Sequence, residues 1–210
     1  MLQKRPVSIL GKIILGSIIG LFTGIIIINS FTSEFNLRYL VRLSALIGLT
    51  SAMISVILSN APERISSIFG KNFLKMHHFF AIIGIILITL HPISFAIEML
   101  NIGVFIPDFS SWDAFWRLAG RPALYLFYVG IVAGLLRRQI KNSWRIFHMI
   151  LYLAIFFAIV HATLIGKNFE NPIILIIFYV LFGVVVLTPF YKRFRVKFLR
   201  KTRTQHNGLK

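Results

Sequence analysis

"LKMHHFFAIIGIILITLHPISF", residues 74–95, is apolar enough to cross a membrane, yet it carries three histidines, His77, His78 and His91. Hydrocarbon offers an imidazole no water to replace its lost hydration, so ionisable groups inside membrane segments are rare and mark function. A second apolar run, 145–166, holds two more, His148 and His161. The fold must explain why histidines recur in these two runs.

The rest of the chain is equally apolar. Of 210 residues, 57% are hydrophobic and 14% charged, and the mean hydropathy is +0.82. A soluble domain of this size carries far more charge. Six stretches, near 7–29, 39–59, 73–97, 118–136, 145–166 and 172–190, are long enough or nearly so to span about 30 Å of hydrocarbon at about 1.5 Å per residue. The first follows Lys4 and Arg5, but its apolar run outlasts a signal-peptide core and no small-residue cleavage site follows it. It reads as a retained helix. The expected fold is an all-α integral membrane protein: a six-helix transmembrane domain over 1–190 and a basic tail over 191–210.

Charge sets the orientation. With the N-terminus cytoplasmic, the N-terminal segment, the 60–75 and 137–145 loops and the tail face inward. They hold 18 of the 23 Lys and Arg, with Glu63 their one acid. The outward segments balance Arg38, Arg42, Arg117, Arg121 and Lys167 against Glu34, Glu98, Asp108, Asp113 and Glu170. The net charge of +17 is therefore a positive-inside signal, with both termini cytoplasmic, rather than a nucleic-acid footprint. The tail, "YKRFRVKFLRKTRTQHNGLK" from Tyr191, reads as a stop-transfer anchor on anionic lipid, with a partner-docking site as the alternative. In the outward loop "PDFSSWDAFWR", Trp112 and Trp116 read as interface anchors. With no cysteine in the chain, disulfides, thiolate-held clusters, covalent c-type heme and cysteine nucleophiles are excluded.

In this topology the third and fifth segments both run outward. His77 and His148 share an inner depth, and His91 and His161 an outer one, 14 and 13 residues further along, or roughly 20 Å along the axis. Imidazoles reaching from two helices suit bis-histidine ligation of b-type heme, an apolar disc that packs between helices. Zinc fits less well, because its ligands gather in one small shell. Helical periodicity is a weaker guide: 14 residues return to within about 40° of the starting face, whereas 13 miss it by about 140°. A local irregularity, or a different approach to each site, is therefore expected in the fifth helix. In the third, Pro92 removes a helical bond beside His91.

"HHFFAIIGIILITLH" (77–91) followed by "WRIFHMILYLAIFFAIVH" (144–161) resembles the ferric reductase-like transmembrane domain. That family includes ferric-chelate reductases, NADPH oxidases and the heme-binding membrane subunit of bacterial methionine sulfoxide reductase. The resemblance covers most of the chain and implies two hemes between helices three and five, one on His77 with His148 and one on His91 with His161. A small residue follows the family's first ligand by four positions. Ala81 meets this for His77, leaving His78 as a neighbour near the propionates, whereas ligation by His78 would put Ile82 there. "WRIFH" and "GRPALYLF" (120–127) are most similar to the methionine sulfoxide reductase subunit. That subunit carries a basic residue where this chain has His77, so the full inner pair here is a departure from it.

Charge suggests the supporting groups. Arg117 and Arg121 stand at the outer mouth, and Lys75 and Arg145 beside the inner histidines, placed to pair propionates or simply to face water. Phe79, Phe80, Phe95, Phe127, Phe147, Tyr152, Phe156 and Phe157 are candidates to line the sites, and Gly84, Gly120, Gly130 and Gly134 to allow close approach. The expected function is a b-type cytochrome moving electrons from the cytoplasmic to the outer face of the plasma membrane. No glycine-rich phosphate loop follows the sixth segment, so a separate flavoprotein or a quinol is the expected donor. Ferric iron, oxygen or a partner reductase is the expected acceptor. Two alternatives stay open: a histidine-lined transporter or metal/proton channel without heme, for which the six segments as bounded above supply no acidic residue, and an assembly subunit with vestigial sites.

Overall fold

The computed structural model describes residues 7–32, 34–60, 62–69 and 73–207. Among them are eight α-helices: α1 (Ile9–Thr32), α2 (Leu37–Ser59), α3 (Pro62–Phe69), α4 (Phe73–Met99), α5 (Trp112–Arg117), α6 (Gly120–Leu135), α7 (Trp144–Ile165) and α8 (Pro172–Asn207). Helices satisfy their own backbone groups, which hydrocarbon cannot do. Five of the eight are long and apolar enough to cross a membrane: α1, α2, α4, α7 and the Pro172–Tyr191 part of α8. This is the fold of a helical, multi-pass membrane protein. The stretch expected over 118–136 is α6, with 16 residues. That makes about 24 Å at 1.5 Å per residue, short of a full span.

Three boundaries differ from the sequence reading. The 60–75 loop contains α3, whose Ile68 carbonyl accepts from the Ser8 amide at 2.9 Å and the Ser8 hydroxyl at 3.0 Å. That hydroxyl also accepts from the Gly11 amide at 3.0 Å, capping α1. The helix from Pro172 continues through the tail to Asn207. Finally, α4 runs through Pro92 to Met99, so Glu98 lies inside it rather than in the following loop. An acidic residue therefore does sit within an apolar helix, with Arg38 Nη2 at 2.5 Å.

The bundle is organised around α2. It packs along α4 as one antiparallel hairpin, α6 and α7 form a second, and α1 and α8 lie against the centre. The central helix is rich in small polar residues, and Ser44, Thr50, Ser51 and Ser55 are all buried on it. Small side chains let helix backbones approach where no hydrophobic force between helices exists. α2 comes close to α4 at Gly48, where an added Cβ would stand 2.9 Å from the Ile88 backbone nitrogen. Gly84 answers it from α4, where an added Cβ would stand 3.3 Å from the Gly48 carbonyl oxygen. Isoleucines and leucines point outward instead, among them Ile13, Ile19, Ile82, Ile86, Ile176 and Leu187, as a lipid-facing surface requires.

A Schellman motif ends α4: the Asn101 amide reaches the Ala96 carbonyl at 3.1 Å and the Leu100 amide the Ile97 carbonyl at 3.3 Å. Leu100 sits at φ 48°, where glycine is the usual residue. Its side chain is exposed, so Leu100→Gly is expected to stabilise the protein by about 1 kcal/mol through relief of left-handed strain. A rise in detergent melting temperature checks this. In the loop beyond, the Ser110 hydroxyl and amide hold the Asp108 carboxyl below its usual range. Ser111 then caps α5, accepting from the Ala114 amide at 3.1 Å.

Candidate functional site

Each of the four paired histidines reaches back to the helix or turn packed beside it. Nδ1 of His77 lies 3.0 Å from the Ser55 carbonyl oxygen, and Nδ1 of His91 lies 2.8 Å from that of Val41. On the other hairpin, Nδ1 of His148 lies 2.8 Å from the Gly130 carbonyl oxygen and Nδ1 of His161 lies 2.7 Å from that of Arg117. A carbonyl can only accept, so Nδ1 must carry the proton in all four rings. The neutral imidazole then has its lone pair on Nε2, the form in which histidine binds a metal.

The two spacings now have a physical reason. His77 and His91 are 14 residues apart and so are their acceptors, Ser55 and Val41, as two straight antiparallel helices require. His148 and His161 are 13 apart and so are Gly130 and Arg117. Arg117 ends α5, beyond the break at Leu118 and Ala119. His161 therefore bonds to a different element from His148 and need not share its helical face.

Across the gap between hairpins the histidines meet in twos. The His77 and His148 rings have centres 6.4 Å apart at 69°. Two imidazoles holding one metal ion from opposite sides at about 2 Å per bond have ring centres about 6 Å apart. His91 and His161 line one cavity of about 390 Å³ with Phe95, Phe127, Phe178 and Leu46. Glycines make room for the rings: a Cβ on Gly120 would stand 2.7 Å from Cδ2 of His161, and one on Gly134 3.2 Å from Nδ1 of His148. Among the described residues, no three histidines or acids gather at one point. The donor set, neutral imidazoles in pairs with a cavity beside His91 and His161, fits an axially ligated planar group.

The other expected residues are placed unequally. Arg121 lines the cavity of His91 and His161, and its guanidinium donates to the Ile106 carbonyl at 2.7 Å. Arg117 contributes through its backbone carbonyl, while its exposed side chain lies 4.0 Å from Asp113. Arg145 sits over the Trp144 ring at 5.7 Å, and that ring is 5.8 Å from His148. Lys75 and His78 are exposed on α4, and the His78 ring is 5.6 Å from that of His77. Phe156 and Phe157 pack on Trp116 rather than lining the cavity of His91 and His161, and Phe80 packs with Phe22, Ile54 and Leu58. Gly130 faces Leu151. Sequence reasoning missed Arg38, Arg42 and Glu98 as cavity residues, and it missed Ser55. The signal was present for Arg38 and Arg42, two cations one helical turn apart at the start of an apolar segment.

No protein-family model, curated protein or solved structure matches the chain.

Proposed function

We propose that this protein is a six-span, b-type cytochrome of the ferric reductase-like kind, carrying electrons from the cytoplasmic to the outer face of the cell membrane. The observation that carries the reading is the set of four Nδ1–H groups tied to backbone carbonyls, which leaves four free Nε2 lone pairs, two on rings 6.4 Å apart and two on rings that line one cavity. His77 and His148 would hold an inner heme, and His91 and His161 an outer one. Heme supplies a one-electron centre whose potential its axial ligands set. The chain's own residues fix each imidazole's tautomer and direction, exclude water with apolar side chains, and place Arg121 and Arg42 at the outer cavity, where propionates need cations. Together α5 and α6 supply the sixth crossing, and the positive-inside charge keeps both termini cytoplasmic.

A cytoplasmic flavoprotein or a membrane quinol serves as donor, the former favoured by charge on the exposed Arg137, Arg138, Lys141 and Arg145. Ferric iron, oxygen or a partner reductase such as a methionine sulfoxide reductase takes the electrons. In sealed vesicles holding ferricyanide, external dithionite is expected to reduce the trapped oxidant only when the protein is present. Equal rates with and without protein would refute the proposal. Gly120→Ala is expected to displace the His161 ring and cut outer-heme occupancy several-fold while sparing the inner site, read as heme per chain. A transporter without heme is the second reading, favoured by Glu98 inside α4, and it predicts a colourless protein.

A further inference from the structure

One of the four histidines is held differently. Nδ1 of His91, His148 and His161 each meets a single carbonyl oxygen, whereas Nδ1 of His77 also lies 2.8 Å from the Ser55 hydroxyl oxygen. That hydroxyl in turn reaches the His77 carbonyl oxygen at 3.2 Å. Because Nδ1 carries the proton, the hydroxyl must accept from Nδ1–H and donate its own hydrogen to the His77 carbonyl. Ser55 thus grips His77 at both ring and backbone, and the ring N–H is shared between the Ser55 carbonyl and hydroxyl. Ser55 is buried on the central helix, so no water competes for these bonds.

An acceptor on Nδ1–H raises the basicity of Nε2, and a more basic axial ligand favours the oxidised metal. Donating its own hydrogen makes the hydroxyl a better acceptor. We infer that Ser55 is a positioning residue that fixes the His77 ring N–H and holds the inner centre at a lower potential than the outer one. Electrons then fall outward by construction. The inference rests on the proposed heme function and deepens it.

The test is a redox titration of the full-length purified protein, with heme counted per chain, for wild type, Ser55→Ala and Ser55→Thr. Alanine leaves the Ser55 carbonyl in place, so both hemes are expected to stay. The lower of the two midpoints is expected to rise by roughly a threefold change in preference for the oxidised state, about 30 mV at 59 mV per tenfold for one electron. Threonine, which keeps the hydroxyl, is expected to restore the wild-type value. The same alanine change in a His91→Leu background, where the inner centre stands alone, assigns the moving transition. Unmoved midpoints, equal movement of both, or loss of the inner heme in Ser55→Ala would overturn the inference while leaving the proposed function intact. A wild-type protein without heme would overturn both.

Discussion

His91→Leu is expected to leave a folded protein with one heme per chain in place of two. The substitution keeps the volume apolar, and α4 retains its contacts with α2. What it removes is one Nε2 lone pair from the outer pair, so His161 would be left as a single axial ligand. The cost to the fold is small. Val41 lies inside α2, where the helical ladder already uses its carbonyl, so the lost ring N–H amounts to about 1 kcal/mol. His161→Leu is expected to give the same result from the opposite hairpin. His77 and His148 lie at the other depth and keep their acceptors, so the remaining heme should stay low-spin. Two hemes in either variant would break the assignment of pairs.

Gly48→Val is expected to be more damaging, removing both hemes at once. Its first added carbon would meet backbone, the Ile88 nitrogen at 2.9 Å, and the Leu87 Cβ at 3.0 Å. Backbone in the middle of a helix cannot swing aside as a side-chain tip can, so α2 and α4 must separate. Overpacking typically costs about 1–3 kcal/mol, and a rigid backbone contact places this variant at the upper end or beyond. Separation also pulls Ser55 and Val41 away from His77 and His91 together, because Gly48 lies midway between the two acceptors. Gly20→Val is the control: nothing lies within 4 Å of a Cβ there. Heme content and monodispersity after mild heating should fall for the first variant and stay at the wild-type level for the second.

These effects show which parts of the molecule can be read from sequence. The two histidine-bearing helices follow from the sequence, because apolar length is a linear property of the chain. The helical character of the remaining apolar runs follows likewise. The acceptors do not. That Val41 and Ser55 face His91 and His77 depends on the register of α2 against α4, which Gly48 and Gly84 set through contact rather than pattern. The 13-residue spacing predicts either a different approach to each site or an irregular fifth helix, and it matches a break in the neighbouring elements, between Arg117 and Gly120. Glu98 lies inside α4 because the helix runs to Met99, two residues past the bound expected from hydropathy, and ends only at the turn through Leu100. The short α6 and the extra α3 have the same origin: local chain breaks are decided by packing.

The most direct measurement is a dithionite-reduced minus oxidised visible spectrum of the detergent-purified protein made in heme-replete cells, with heme counted per chain. The account predicts a low-spin b-type spectrum and two hemes. A colourless protein would contradict it and move the histidines to a transport role.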